Sequence, residues 1–430
     1  MKICYFGTYE KDYPLNRNSK KRILVTTTTF PSFLKNDATP PFVYELSKRL
    51  AEKDNLKIIV STPHLKNSRE YEEKDNLKIY RYKYGFTALR DGAILPNIKK
   101  NKLLIFQVPL FLLFSFLNLV KLVKKEKIDI IHAHWIIPQG FLAVFYKKLF
   151  SKKKIKIICT VHGGDIFSLR GWLMTKIKKW VLNNVDEITV VSEEVKEEVE
   201  KIRKPSEVPP LEKGARGIFT NYKIAPMGVD ENIFNPDKYD KNIKKKYNIT
   251  DPFLLFVGRL VEKKGVKYAI SVMPAVLKKY PDAKFIIVGE GPSENDLKQQ
   301  VKKLNLKNNI IFAGGVPNHE LPKYYATADI FLGPSVIEGF GLIFVEALLC
   351  KCCVITSDLK TISDIIKNEE TGIQVDVKNT KLFADRIIEL IEDEDKRKKL
   401  AEDGYEFVKE KFIWDVSAER YYDLIKNLLL

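Results

Sequence analysis

The residue types and spacing best suited to chemistry lie in Pro334–Leu348, which reads PSVIEGFGLIFVEAL. A short apolar run, Ile330 to Leu332, precedes it and has the character of a buried parallel strand. Gly339-Phe340-Gly341 then makes a tight turn, and Leu342 onwards has helical apolar spacing. A strand, a glycine turn and a helix start aim free backbone N–H groups and the positive end of the helix dipole at one point, where an anion fits. Glu338 stands in the turn and Glu346 one to two turns down the helix. Carboxylates so placed accept hydrogen bonds from hydroxyls beside a bound diphosphate, which points to a sugar nucleotide. On this stretch alone a plainer reading stays open, with both glutamates serving as caps and solvated charges.

Two further clusters follow strands. Phe253 to Val257 runs into Gly258-Arg259-Leu260-Val261-Glu262-Lys263-Lys264-Gly265. Arg259 would bring a forked cation and Lys264 a mobile one to the place where a diphosphate needs them, with surface ion pairs as the alternative. Ile155 to Val161 runs into His162-Gly163-Gly164-Asp165. Open α/β sheets bind ligands at the carboxyl ends of their strands, and paired glycines let backbone approach a ligand closely. His132 and His134 alternate around Ala133 in DIIHAHW (Asp129–Trp135), so one or both face the core.

These loops require a scaffold of alternating strands and helices. The 430 residues are enough for two or three domains at about 100–200 residues each. Ile23–Thr27 is the expected first strand of a doubly wound sheet, and Ile3–Gly7 an extra edge strand. A polar loop through Asp37 follows, and Pro40-Pro41 open a helix with Phe42, Val43, Leu46 and Leu50 on one face. Leu56–Ser61, Leu77–Tyr82, Ile128–Ile131 and Ile188–Val191 continue the sheet, Ser192-Glu193-Glu194 caps a charged helix, and Ile224–Asp230 reads as a last strand entering a linker. The alternation restarts with Phe253–Val257, Phe285–Val288, Ile310–Ala313, Ile330–Leu332 and Val354–Thr356. The expected organisation is an α/β chain with two Rossmann-like domains, over 1–228 and 229–412, and a helix over 413–430 that packs back toward the first. The proline- and glycine-rich segment Lys204–Phe219 reads as an inserted, dispensable surface loop.

Composition narrows the partners. A formal charge of +18 favours phosphorylated substrates, nucleic acid or anionic membrane. No interleaved basic and aromatic reading motif is present, so nucleic acid is not expected. Five cysteines form no spaced framework, which suits a reducing cytoplasm. Cys350, Cys352 and Cys353 read as buried small residues rather than metal ligands. Asp12, Tyr13 and Pro14 interrupt any apolar core of an N-terminal signal peptide. The most apolar run, Leu103–Val120, approaches membrane-span length, but Gln107, Pro109, Ser115 and Asn118 weaken it and a strand follows closely. The expectation is a helix packed on the sheet or lying in a membrane interface, with Lys121, Lys124, Lys125 and Lys127 towards anionic lipid.

Taken in order, these motifs resemble the retaining glycosyltransferases of family 4, whose GT-B fold sets two Rossmann-like domains with parallel sheets around a central cleft. The resemblance runs from about Lys21 to near the end. Glu338 through Glu346 matches the family's Glu-x7-Glu motif, including Gly339, Phe340, Gly341 and Leu342. Gly258-Arg259-Leu260 with Lys264-Gly265 matches its diphosphate segment, His162–Asp165 its histidine loop and Asp129–Trp135 its histidine-rich strand. The resemblance implies hexosyl transfer from a nucleotide-sugar donor to a lipid-linked or cell-envelope saccharide; the basic surface and the Leu103–Val120 helix add the expectation of a cytoplasmic protein lying peripherally at the inner face of the plasma membrane. Glu338 and His162 would be catalytic, Glu338 on the donor sugar and His162 near the reacting carbon. Glu346 would take the ribose. Arg259 and Lys264 would stabilise the leaving diphosphate in place of a metal ion, so no metal or cofactor is expected. Asp37, His134 and Asp165 would line the acceptor side. The sequence departs from the family in three places: Pro31–Pro41 lacks a glycine pair, Lys351 replaces a helix-ending glycine, and Lys360-Thr361-Ile362 replaces glycines after Asp358. A catalytically drifted copy that docks on membrane or a partner is the alternative.

Overall fold

The computed structural model describes residues 20–34, 39–85, 102–150, 155–168, 171–203, 222–250 and 252–429. The strand expected at Ile3–Gly7, the acceptor-side Asp37 and the loop Lys204–Phe219 lie outside the described residues.

Two sheets organise the chain. The first holds β1 Lys21–Thr26, β2 Leu56–Pro63, β3 Tyr71–Lys74, β4 Leu77–Tyr82, β5 Ile130–His134, β6 Lys156–Val161, β7 Glu187–Val190 and β8 Tyr222–Ile224. Their spatial order is β3-β4-β2-β1-β5-β6-β7-β8. All neighbours run parallel except β3 and β4. The second sheet holds β9 Phe253–Val257, β10 Lys284–Val288, β11 Ile310–Gly314, β12 Ile330–Gly333, β13 Cys353–Ser357 and β14 Ile373–Val375, in the order β11-β10-β9-β12-β13-β14 and parallel throughout. That is the doubly wound order, in which the direction of strand addition reverses between β9 and β12. Strands buried on both faces read as unbroken apolar runs, as Phe253–Val257 does.

The helices used below are α1 Phe42–Ala51, α2 Val108–Lys125, α3 Phe141–Leu149, α4 Trp172–Leu182, α5 Glu193–Arg203, α6 Val266–Lys279, α7 Leu342–Leu349 and α8 Trp414–Leu429. α1 buries Val43, Leu46 and Leu50 against the first sheet. α8 joins the same core through Trp414, Tyr421, Leu424 and Ile425, although it follows the second sheet in sequence. The two chain crossings between the sheets lie side by side. Val229 N donates to Phe412 O at 2.9 Å and Trp414 N to Val229 O at 3.2 Å. A β-carbon on Gly228 would stand 2.6 Å from the Trp414 backbone, so only glycine fits that crossing. The strand expected over Ile224–Asp230 lies earlier and is shorter: Tyr222–Ile224 pairs with β7, Ala225 N still donates to Val190 O at 2.9 Å, and Pro226 then has no N–H to continue the ladder. Cys350, Cys352 and Cys353 are buried, with free thiols that burial pushes to high pKa.

Leu103–Val120 forms a turn of 3-10 helix and then α2. Ile105–Lys125 is long and apolar enough to cross a membrane by length and composition. It lies instead along the sheet, burying Phe111, Ser115, Leu119, Leu122 and Val123, while Asn118 Nδ2 donates to Ser61 Oγ at 2.9 Å.

Candidate active site

The two loops at the switch point of the second sheet are fastened to each other. Gly265 has φ of +64°, and a β-carbon there would sit 1.9 Å from the Pro334 carbonyl oxygen. Val336 N donates to Lys263 O at 2.8 Å. Locked in this way, the loop after β9 brings Lys264 to the turn after β12, and Lys264 Nζ lies 2.5 Å from Glu338 Oε2. Ser335 Oγ donates to the same oxygen at 3.2 Å, and Gly339 N to Glu338 Oε1 at 3.2 Å. Burial raises the Glu338 pKa, but the Lys264 ammonium outweighs it and holds the carboxyl below its ordinary range.

Gly341, at φ +96°, starts α7 without a side-chain cap; Phe344 N turns back to Gly341 O at 2.9 Å, which leaves the N–H groups of Leu342 and Ile343 without intrahelical partners. Glu346 lies further along the helix, partly buried, and accepts from Tyr325 Oη at 3.0 Å. Burial pushes its carboxyl up to about 7, against the opposing pull of Tyr325 and Lys264. The Arg259 side chain is exposed and makes no hydrogen bond or ion pair among the described residues. One exposed guanidinium, one ammonium paired with a carboxylate and one helix start without a side-chain cap are therefore carried by the two loops at the switch point. Chemically, such an arrangement suits an anion the size of a diphosphate, with carboxylates able to accept from hydroxyls beside it.

The first sheet contributes the facing wall. His132 and His134 are both buried, and only His162 is partly open. His134 Nδ1 and His162 Nε2 share a hydrogen bond of 2.9 Å, and His132 Nε2 meets Thr160 Oγ1 at 2.7 Å. The His162 ring lies against Trp135 and Phe42, with centroids 4.8 and 5.2 Å away. Burial lowers the pKa of His132 and of His162 to about 3, and that of His134 well below its ordinary value. All three imidazoles are neutral near neutral pH, so the row is a set of packed neutral rings, with centroids 4.3 and 5.2 Å apart, rather than a cluster of cations. His134 reaches the cleft only through His162.

Asp165 is buried and turned inward. Its Oδ2 accepts from Ile136 N at 2.8 Å and its Oδ1 from His162 N at 3.2 Å. Burial raises its pKa to about 6, opposed by those backbone donors and Lys178. Its Oδ2 thus ties the loop after β5 to the loop after β6, while its Oδ1 closes the loop after β6 on itself, so both oxygens expected on the acceptor side are engaged with backbone.

The walls meet at their glycines. A β-carbon on Gly163 would stand 2.9 Å from the Gly339 Cα, and one on Gly339 would stand 3.1 Å from the His162 carbonyl oxygen. His162 and Glu338 are thereby brought together from opposite sheets. Leu342 packs at the join, and Phe340 rests edge-on against Phe412 at 5.6 Å. Away from the glycines, Lys360 Nζ lies 2.6 Å from both Glu197 carboxylate oxygens, and Asp364 Oδ2 accepts from Glu193 N at the start of α5. The lysine that stands where the family carries glycine thus links the two halves. Tyr325, Ser335 and Asp364 were not singled out by sequence, since a lone tyrosine, serine or aspartate carries no spacing signal. Among the described residues no group of three His, Cys, Asp or Glu gathers as a metal centre.

Known proteins share this architecture. The family model for glycosyl transferases group 1 matches residues 239–407, and the one for glycosyltransferase family 4 matches residues 41–210. The N-acetyl-alpha-D-glucosaminyl L-malate synthase of Bacillus anthracis is 26% identical over 350 residues, 79% of this chain and 87% of the relative. The GDP-mannose-dependent alpha-(1-6)-phosphatidylinositol monomannoside mannosyltransferase of Mycobacterium tuberculosis is 26% identical over 285 residues, 63% of this chain and 70% of the relative. Among solved structures, sucrose-phosphate synthase of Thermosynechococcus elongatus superposes with a TM-score of 0.76 at 20% identity, covering 95% of this chain and 99% of its own. The Anabaena protein HepE in complex with UDP superposes at 0.70 and 14% identity, covering 95% and 100%. With one family model on each sheet and the GT-B architecture throughout, the chain belongs to the group 1, family 4 glycosyltransferases and is an enzyme of glycosyl transfer.

Proposed function

We propose that this enzyme moves a hexosyl group from a nucleoside-diphosphate sugar to a hydroxyl of a lipid-linked or cell-envelope saccharide, on the cytoplasmic side and with retention of anomeric configuration. The observation that carries the donor side is the Lys264–Glu338 pair, set beside the unpaired Arg259 and the start of α7. A phosphatidylinositol mannoside acceptor in the name of one relative supports a saccharide on lipid.

In this reading Arg259, Lys264 and the N–H groups of α7 hold the diphosphate, Glu346 accepts from ribose hydroxyls and Glu338 from the donor sugar. The bond from the anomeric carbon to the phosphate oxygen breaks, and its electron pair stays on the diphosphate. The acceptor oxygen bonds to the same face of that carbon, and its proton passes to the departing phosphate oxygen. Charge grows on the leaving group in the transition state, so fixed cations lower the barrier selectively and do the work a metal ion would otherwise do. His162, neutral and held by His134, offers a hydrogen bond to the sugar without adding a positive charge that would oppose the oxocarbenium character of the anomeric carbon.

The drifted, non-catalytic alternative loses ground, because the residues of the matched motifs are assembled rather than scattered. The experiment is a transfer assay with nucleoside-diphosphate sugars and a lipid-linked saccharide, with the new anomeric linkage read by proton NMR. An α-configured donor should give an α-configured product. A β-configured product overturns the same-face mechanism, and an absence of transfer with every donor class overturns the enzyme's assigned donor chemistry.

A further inference from the structure

The layer formed by α2, α3 and α4 covers one face of the first sheet, and its outer side is apolar. Leu113, Phe114 and Leu117 of α2, Phe145 and Leu149 of α3, and Trp172 and Leu173 of α4 are exposed, Trp172 by 72%. Phe106, just ahead of α2, is 76% exposed. The helices touch one another, as in the Phe116–Phe145 ring contact at 5.3 Å, so these side chains form one surface. Charge on this layer is one-sided. α2 carries three lysines, α3 two and α4 three, and none of the three helices carries an aspartate or glutamate. Lys178 is buried on the carbonyls of Ile166 and Ser168, and Lys147 pairs with Asp186. Lys121, Lys124, Lys125, Lys148 and Lys176 are exposed beside the apolar side chains, and Lys176 lies over the Trp172 ring at 4.0 Å.

We infer that this three-helix face docks on an anionic phospholipid bilayer, with α2 lying in the plane of the interface. Charge selects this occupant. A second copy of the chain would bring the same lysines face to face with no carboxylate on these helices to answer them, whereas a bilayer accepts the apolar side chains and supplies anionic headgroups to the lysines. Topology excludes a crossing orientation. α2 is fixed to the sheet along its whole length by Phe111, Ser115, Leu119 and Leu122, and the strands on either side of it belong to that sheet.

The placement also matters for acceptor access. In a parallel α/β layer each helix starts at the carboxyl ends of the strands, so the starts of α2 and α4, with Phe106, Trp172 and Leu173, lie on the same edge of the sheet as His162. A bilayer against this face sits at the rim of the cleft. The docking inference stands on the surface alone and does not depend on the donor reading.

The test is sedimentation with vesicles of phosphatidylcholine alone and of phosphatidylcholine with phosphatidylglycerol, followed by Trp172 fluorescence. Wild-type protein should bind only the anionic vesicles, release at high salt and show a blue shift that Trp172→Phe removes. Leu113→Ser with Leu117→Ser, and separately Lys121→Gln with Lys124→Gln and Lys148→Gln, should each weaken binding roughly tenfold or more. All are exposed positions, and an unchanged melting temperature shows that the fold is kept. Absence of binding to anionic vesicles at low salt overturns the proposal. So does a dimer in solution that the two leucine substitutions dissolve, since the face would then be covered by a second copy.

Discussion

Gly163 of the first sheet and Gly339 of the second face each other so closely that a β-carbon on Gly163 would lie 2.9 Å from the Gly339 Cα. No side chain fits between these loops, and Gly163 also has φ of +81°. This contact sets the distance between His162 and Glu338. Gly163→Ala should therefore push the loops apart by a few tenths of an ångström or more and lower kcat by about tenfold to a hundredfold. Thermal stability should fall only by about 1–2 kcal/mol, for the left-handed conformation. A kinetic assay beside a melting curve separates the two effects.

Lys264 and Glu338 form a largely buried pair, which makes their removal asymmetric. Lys264→Met leaves a buried carboxylate without its cation and should cost about 2–4 kcal/mol near neutral pH. In the wild type the Glu338 pKa is depressed, so its stabilisation is present above the ordinary glutamate range and is lost as pH falls through the depressed value. The deficit of Lys264→Met should accordingly shrink on acidification. Adding Glu338→Gln should recover most of the stability and none of the transfer activity. Melting curves at several pH values, with an activity assay on the double variant, check this.

Glu346 titrates the other way. Its pKa is raised to about 7, so the stability associated with its protonated form is complete below the ordinary glutamate value and is lost as pH rises through about 7. Glu346→Gln should match the wild type at low pH and melt higher above neutrality, by about 1–2 kcal/mol once its partial exposure is allowed for. Nucleotide affinity should move oppositely. The wild type should bind more tightly as pH rises through about 7 and the carboxylate forms, and the variant should bind weakly throughout.

The histidine row should be silent in titration. Burial holds His132 and His162 near 3, so no imidazole of the row should change charge between about pH 5 and 8. Carbon-13 or nitrogen-15 NMR of labelled histidine checks this directly. His134→Ala, at a buried position that touches His162 and not the cleft, should lower kcat more than it changes donor affinity, whereas His134→Asn, which can still meet His162, should recover part of the loss.

Much of this site was legible in the sequence because it is built from glycines after strands. The unbroken apolar runs at β9 and β12 need burial on both faces, and Gly258, Gly265, Gly339 and Gly341 can only follow them as turns. The presence of two successive α/β units was legible for the same reason. The antiparallel strand Tyr71–Lys74 was not, because it is a polar edge strand, YEEK, without alternation. The inward turn of Asp165 escaped as well, since a carboxylate after two glycines reads equally as a ligand or as a clamp on backbone N–H groups. Lys360 with Glu197 and Asp364 with α5 are separated by more than 160 residues, and no local pattern records a contact between two domains. The reach of α2 could be read as an apolar helix, but which of its faces stays exposed depends on the sheet beneath it.

The central claim is that Lys264, Arg259 and Glu346 hold a nucleoside diphosphate without help from a metal ion. A thermal-shift panel of UDP-, GDP-, ADP- and CMP-sugars in the presence of a chelator tests it most directly, run on the wild type, Lys264→Ala and Glu346→Ala. One nucleotide class should stabilise the wild type, by about 2.7 kcal/mol at about 100 times its dissociation constant, and should fail to stabilise either variant. A panel in which no sugar nucleotide stabilises the wild type, or in which both variants respond as the wild type does, would contradict it.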